Sequence, residues 1–564
     1  MSEPELNQQE AAELEELAKQ PLGKRLAYYT KKTGPGWLQA AITLGGGSLA
    51  GALFLGVILE YNLMWLQPLA MILGVVMLSA VSYVTLSTGK RPFASIKEHV
   101  SPILAWAWLI AAMMANIVWC LPQFSLGSGA VQQNLIPALE GSKAAPWIIG
   151  MVLLVVCAMI VRAYDSDNKG VKTFEIILKA LVGIVVISFF VVVGKLTFAG
   201  TLDWAAIFKG FIPNLKYLKE PAPQIADAIA QTGATGDTWT SMVAGIQKDK
   251  VIAAFGTAVG INMTFLLPYS MLRKGWGKPH RGLAIFDLGT GLIIPFMLAT
   301  ACIVIAAGSQ FHGKTSDILN EDGSIIEGKE KGFYSVADTF LKKQYSEDLA
   351  GLEGDAATEK LNTLRSEMSV EDKRVAAMLV DRKDRDLANA LSALGGPTLS
   401  RLIFGIGVLG MAVSTIIILM LINGFCLCEA LGKSGDRKVH FIGSLIPGFV
   451  GLCFPVIWTG DSLAALAVPT SVIGSSLLPI AYFVFLLLMN SKKLLGDAMP
   501  TGGKRIALNI VMLIATTLAT IGSIWGIRGK TLFGLPFGQI GIGILILLFV
   551  IGLFGFISKN RKEA

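Results

Sequence analysis

The chain has 564 residues, 53% of them hydrophobic and 16% charged, a balance that excludes an ordinary soluble globular protein. Its formal net charge of +8 sits in short loops between apolar segments, so the basic excess reports membrane topology and calls for no nucleic-acid partner. The six cysteines (Cys120, Cys157, Cys302, Cys426, Cys428, Cys453) lie in or beside apolar segments and offer neither zinc spacing nor a disulfide framework, and nothing calls for a cofactor or an enzymatic activity.

Residues 1–33 read as a polar tail. Its early acids Glu3, Glu5, Glu10, Glu13, Glu15 and Glu16 are the reverse of a signal peptide's basic start. A helix needs about 20 apolar residues to cross the hydrocarbon core. That rule predicts 12 spans, near 36–59, 64–88, 102–122, 146–164, 171–199, 252–272, 285–307, 398–424, 440–459, 464–490, 505–527 and 536–558. Basic residues fall in alternate short loops, as in Lys90, Arg91 and Lys97, then Arg273, Lys274, Lys278 and Arg281, then Lys492, Lys493, Lys504 and Arg505. Both tails share this bias, which predicts an even span count with both termini in the cytoplasm, in a cell (inner) membrane.

The first span carries Gly45-Gly46-Gly47-Ser48 in its middle. Every backbone polar group must be paired within lipid, so such a break is tolerated only where it faces protein, water or a solute. Small residues also serve close helix packing. Three consecutive glycines followed by Ser48 favour a solute site over packing alone. The sixth span repeats the theme in Gly256…Gly260-Ile261-Asn262-Met263-Thr264…Pro268, where Pro268 removes a backbone donor from the Thr264 carbonyl. Matching breaks five spans apart predict a pair of inverted five-helix repeats with substrate between the broken helices.

Ionisable groups inside the spans are few: Glu60, Asp287, Arg162, and Glu175 with Lys179, which are spaced to pair. No histidine lies in mid-span, so a proton relay is not evident. The central polar side chains are neutral: Ser48, Asn116, Gln123, Asn262, Thr264, Thr470 and Ser471. Each of them alone is a candidate for interhelical bonding as much as for binding.

Residues 312–397 interrupt the apolar pattern with 17 acidic and 12 basic residues between His312 and Gly395. This insertion is expected outside the cell, separating spans 1–7 (34–311) from spans 8–12 and a short cytoplasmic tail (398–564). Ser369-Val-Glu-Asp372 predicts a capped helix start, with a helix running to about Leu394 and an inner face of Ala376, Met378, Leu379, Leu387 and Leu391. Asn320-Glu-Asp322-Gly323-Ser reads as a turn lacking the alternating ligands of a calcium loop. A second long loop, roughly 200–250, carries no readable motif.

The intervals Gly34-Pro35-Gly36-Trp37…Gly45-Gly46-Gly47-Ser48…Leu53…Gly56, Thr88-Gly89…Glu98, Gln123-Phe-Ser-Leu126-Gly127-Ser128 and Lys169-Gly170-Val171-Lys172-Thr-Phe-Glu175 together resemble the Nramp family of divalent-metal transporters. The resemblance covers roughly spans 1–10. It implies an all-α polytopic membrane protein with 12 transmembrane helices and a LeuT-like inverted 5+5 repeat core, helices 1 and 6 broken. The departures matter as much. The family's metal-site Asp falls on Gly45 and its Asn on Ser48. Its Met-Pro-His falls on Thr264-Phe265-Leu266, its acid pair on Leu121 and Phe124, and its tenth-span Gln near Ser471. Losing carboxylates, His and thioether would remove the proton path and the preference for soft metals. A neutral site could hold a hard cation with its waters retained, as in the family's magnesium-transporting relatives.

The predicted function is secondary transport of a divalent cation, Mg²⁺ or Mn²⁺, with weak or no proton coupling. The residues expected to bind are Gly45, Gly46, Gly47, Ser48, Asn262, Met263, Thr264, Gln123 and Ser471, with Gly45, Ser48 and Thr264 as metal contacts. Bare N–H groups at the glycine break also suit an anion, so a carrier of a small carboxylate-bearing solute such as an amino acid stands beside it. A non-transporting membrane scaffold has no need of two matched breaks.

Overall fold

The computed structural model describes residues 10, 12–17, 19–164, 168–256, 258–382, 386, 397–457, 466–531 and 535–561. Among them the only β pairing is one antiparallel bridge between Leu319 and Ile325, and the fold is otherwise helical. In chain order the surface helix α1 (Leu22–Lys32) leads into α2 (Pro35–Thr43) and α3 (Gly46–Leu59), then α4 (Leu66–Thr88) and the surface helix α5 (Pro92–His99). Next come α6 (Pro102–Leu135), α7 (Ala145–Tyr164) and α8 (Asn168–Phe198). A short outer helix, α9 (Pro223–Ala230), precedes α10 (Gly236–Gly256), α11 (Met263–Arg273) and α12 (Lys278–Phe311). The insertion forms α13 (Glu330–Gln344), α14 (Gly354–Ser366) and α15 (Val370–Leu379). The chain closes with α16 (Pro397–Ala430), α17 (Arg437–Leu452), α18 (Ala467–Met489), α19 (Gly502–Ile527) and α20 (Phe537–Asn560).

Nine of the described helices are long and apolar enough to cross a bilayer, and the pair α2 and α3, bent by 53°, makes a tenth. The two other expected spans fall short for identifiable reasons. The sixth is divided, with α10 ending at Gly256 and α11 starting at Met263, and α10 begins at Gly236, well before the expected 252. The ninth is α17, only 16 residues long. Pro268 lies inside α11, so the break comes before it and owes nothing to its missing donor.

Helix α3 is buried along nearly its whole length, although it has no polar face to turn outward. It therefore lies at the centre of the bundle, against α10 and α12. A Cβ on Gly51 would sit 3.0 Å from the Ala254 Cα, and one on Gly56 would sit 2.7 Å from the Val304 carbonyl oxygen. By contrast, α20 leaves most of its apolar length exposed at the rim of the bundle. Asp287, on α12, receives the N–H groups of Gly34 (3.0 Å) and Gly36 (2.6 Å) at the start of α2. A buried carboxylate at a helix N-terminus is stabilised by those donors and by the helix dipole. Lys179 donates to the Thr33 carbonyl at 3.3 Å, while the side chain of its expected partner Glu175 lies outside the described residues. Arg162 lies over the Phe441 ring at 5.5 Å.

The two tails share one end of the bundle. Tyr29 packs on Gly282, and Asn560 reaches Ser491 and His99. The two long loops share the other end and fold against each other. Trp239 stacks on Phe340, with centroids 4.0 Å apart, and donates to Asp372 at 2.7 Å. Asp372 also receives the hydroxyls of Thr235 (2.6 Å) and Ser369 (2.7 Å). Lys250, on α10, pairs with Asp381 at 2.8 Å and lies over the Phe54 ring of α3. This outer assembly is thus fixed to both broken helices.

Ser369 caps α15 as expected, accepting from the Asp372 N–H. The helix, however, stops at Leu379 and does not run to Leu394. Arg382 ends it: its guanidinium bonds the carbonyls of Ala377 (3.0 Å) and Val380 (2.7 Å) and holds Asp317 with two nitrogens, each at 2.9 Å. Ala376 and Leu379 are buried and Met378 partly so, while Leu387 and Leu391 lie outside the described residues. The turn at 320–324 is present, closed by the Gly323 N–H on the Asn320 carbonyl. The Ser324 hydroxyl and N–H hold the Asp322 carboxyl below its usual range.

Candidate functional site

The break between α2 and α3 is two residues long. Leu44 and Gly45 leave the helical region, with Gly45 extended at φ −119°, ψ −172°. Three side chains from other elements hold this break. Ser414 and Thr415, on α16, donate to the Ala41 carbonyl at 3.0 and 3.2 Å, serving the last turn of α2, whose carbonyls have no intrahelical donor. Gln123, on α6, accepts the Gly46 N–H at 2.7 Å. Ser48 folds its hydroxyl back onto the Thr43 carbonyl.

The second break faces the first. Thr43 Oγ1 lies 3.4 Å from both the Ala258 carbonyl and Met263 Sδ, and the Gly260 N–H points at the same sulfur from 3.3 Å. Gln39 Nε2 reaches the Met263 carbonyl at 3.5 Å. Asn262 donates to Asn116 Oδ1 on α6 at 3.0 Å, leaving Asn262 Oδ1 and Asn116 Nδ2 buried without partners among the described residues.

Between the breaks lies a cavity of about 30 Å³. Its lining includes Thr43, Gly45, Gly47, Ser48, Gln123, Asn262, Met263 and Ser471, together with Thr415 and Trp119. Among the described residues no Asp, Glu, His, Lys or Arg lines it. Among the described residues, no group of three or more His, Cys, Asp or Glu side chains is placed to hold a metal. What it offers an ion is hydroxyl, amide and carbonyl oxygen plus one thioether.

Most of the residues expected at the site are brought together here. Thr264 is not. Its hydroxyl accepts from Trp108 Nε1 at 2.9 Å and donates to the Ile261 carbonyl, so it serves the packing of α11 on α6. Gly46 does not line the cavity either, and its N–H is taken by Gln123. The thioether expected to be missing is present one residue earlier, as Met263 Sδ. The cavity is also small for a cation with its waters retained, at about 30 Å³.

Two contributors were not legible. Thr415 came from a span with no distinguishing motif. Trp119 is wedged between two glycines, since a Cβ on Gly260 or Gly474 would fall 2.2 or 2.3 Å from its ring, and its buried Nε1 has no partner among the described residues. Only the pairing of an intramembrane Trp with glycines on α10–α11 and α18 could have signalled it, and no local spacing records that.

The family model described as natural resistance-associated macrophage protein-like, Nramp, matches residues 36–324 and 376–561, most of the chain and both helix breaks. The chain belongs to the Nramp family. The manganese transporter pdt1 of Schizosaccharomyces pombe is 26% identical over 188 residues, covering 33% of this chain and 34% of that protein. The metal transporter Nramp3.1 of Populus trichocarpa is 28% identical over 164 residues, covering 28% and 30%. These matches thus span about a third of each relative's length. The crystal structure of the Eremococcus coleocola manganese transporter bound to an aromatic bis-isothiourea compound covers 96% of both chains with a TM-score of 0.52. At 13% identity that likeness shows the fold alone, the all-α polytopic membrane architecture. Within this Nramp chain the neutral cavity occupies the space between the two broken helices.

Proposed function

We propose that this Nramp chain is a secondary carrier of a divalent metal cation, Mn²⁺ or Mg²⁺, in the cell membrane with both tails cytoplasmic. The observation that carries the reading is the buried, uncharged cavity between the breaks, lined by Ser48, Thr43, Asn262, Gln123 and Met263. The family membership adds the substrate class. Oxygen donors suit hard divalent ions, and the Met263 sulfur adds a softer contact. Among the described residues no carboxylate or imidazole lines the cavity, which supports transport without strong proton coupling. At its present size the cavity leaves little room for an ion's hydration shell, a condition that Mn²⁺ meets more readily than Mg²⁺, which dehydrates reluctantly.

The carboxylate-solute reading has less support here, because one donor at the break, the Gly46 N–H, is already taken by Gln123 and the cavity is small in this conformation.

Uptake into proteoliposomes under an imposed membrane potential tests the proposal. Saturable Mn²⁺ or Mg²⁺ uptake that falls at least about tenfold in Gln123→Ala, which leaves the Gly46 donor facing the ion, is the expected result. Uptake of no divalent cation by wild-type protein would refute it.

A further inference from the structure

We propose that the groove between α4, α12 and α19 at the basic end of the bundle is a binding site for an anionic phospholipid. The groove encloses about 1110 Å³, well beyond the small cavity between the helix breaks. Its floor is hydrocarbon from three membrane-spanning helices: Ile72 and Val76 on α4, Ile285 and Ile293 on α12, Leu508 and Val511 on α19. Its mouth is cationic. Arg25, Lys278, Arg281 and Lys504 line it against a single acid, Glu15.

The placement of these charges argues for a ligand beyond ordinary basic-end bias. Arg25 Nε is buried at the mouth and has no hydrogen-bond partner among the described residues. A desolvated guanidinium nitrogen without an acceptor is costly, and a phosphodiester oxygen would meet it. The Lys278 and Lys504 side chains are exposed and form no ion pair among the described residues. Arg281 is held in place, over the Tyr83 ring at 4.7 Å and on Ser87 Oγ at 3.2 Å, so its charge is fixed at the rim. Helix α1 forms the roof, because Gly282 lets Tyr29 approach: a Cβ there would lie 2.8 Å from the tyrosine oxygen.

An occupant must therefore be apolar over the depth of the helices and anionic at their end. A phospholipid with net negative charge meets both conditions, and such lipids are enriched in the cytoplasmic leaflet, where a basic end resides. The groove lies outside the cation cavity, so this inference stands whether or not the proposed transport is correct.

The test is native mass spectrometry of the purified full-length protein, exchanged into detergent with equal amounts of phosphatidylglycerol and phosphatidylcholine of identical chains. Preferential retention of phosphatidylglycerol is expected. In the K278Q/K504Q variant, whose two side chains support no contact in the fold, that retention should fall about fivefold per lysine removed while phosphatidylcholine is unaffected. Val76→Trp, which fills the floor, should reduce retention of both lipids. Equal retention of the two lipids by wild-type protein would overturn the inference. So would undiminished phosphatidylglycerol in folded K278Q/K504Q, displacement of the lipid by inorganic phosphate at equal concentration, or a dimer that excludes both lipids.

Discussion

Gly45 occupies a place where no side chain fits, since a Cβ would come within 2.3 Å of Thr415 Oγ1. The hydroxyl that blocks it is the same one that serves the end of α2. Gly45→Ala should therefore cost about 1–3 kcal/mol through overpacking. The double variant G45A/T415A should cost less than the sum of the two single changes, because each single change disturbs the same contact. Denaturant or thermal unfolding of the three variants in detergent measures this, and additive losses would mean that the two residues do not meet. Trp119 makes a different prediction. Trp119→Phe removes ring atoms packed against Gly260 and Gly474, so it should cost about 1–3 kcal/mol, but its buried Nε1 has no acceptor among the described residues, so cation uptake should be spared. A carboxylate substrate would instead take that N–H, and its uptake would fall in the same variant. Gly45, Ser48 and Gln123 were legible because a glycine run in an apolar span violates the need for paired backbone. Thr415 and Trp119 were not, because their roles are set by contacts across helices distant in sequence. The Met263 sulfur was missed by a single residue of register, which shows how little a one-residue slip alters a helical pattern while changing the atoms at a site.

Among the elements, the two broken helices and the outer assembly are linked. Lys250 ties α10 to Asp381 in the insertion and rests on Phe54 of α3, so the loops at 200–250 and 312–382 act on both helices that frame the cavity. Asp372 is the centre of that assembly, accepting from Trp239, Thr235 and Ser369. Asp372→Ala strands several donors at once and should loosen the assembly by about 1–3 kcal/mol. Limited proteolysis should then cut within 312–382 sooner, with the spans still intact; unchanged cleavage would show that Asp372 does not hold the loops together. The bend at Leu44–Gly45 and the Ser369 cap could be read from sequence because both depend on residues within four positions, whereas the interruption before Met263 does not fall at Pro268, which lies inside α11. The end of α15 could not, because Arg382 closes it by reaching Asp317 and carbonyls of the preceding turn. The alternation of basic loops likewise predicted that the tails share an end, a consequence of charge counting that needs no contact at all.

For the molecule as a whole, the account reduces to an Nramp bundle whose central cavity carries no formal charge. Such a site should bind and carry its ion almost independently of pH between about 6 and 8, since none of its described lining residues is a carboxylate or an imidazole. Measured proton influx that requires the substrate would contradict that. The most direct measurement is calorimetric titration of purified protein with Mn²⁺, Mg²⁺ and a panel of amino acids, repeated on Ser48→Ala. The account predicts saturable binding of a divalent cation, weakened in the variant, and no heat from any amino acid. Amino-acid binding without any divalent-cation signal would contradict it, and would mean that the glycine break receives a carboxylate in a conformation wider than the one described.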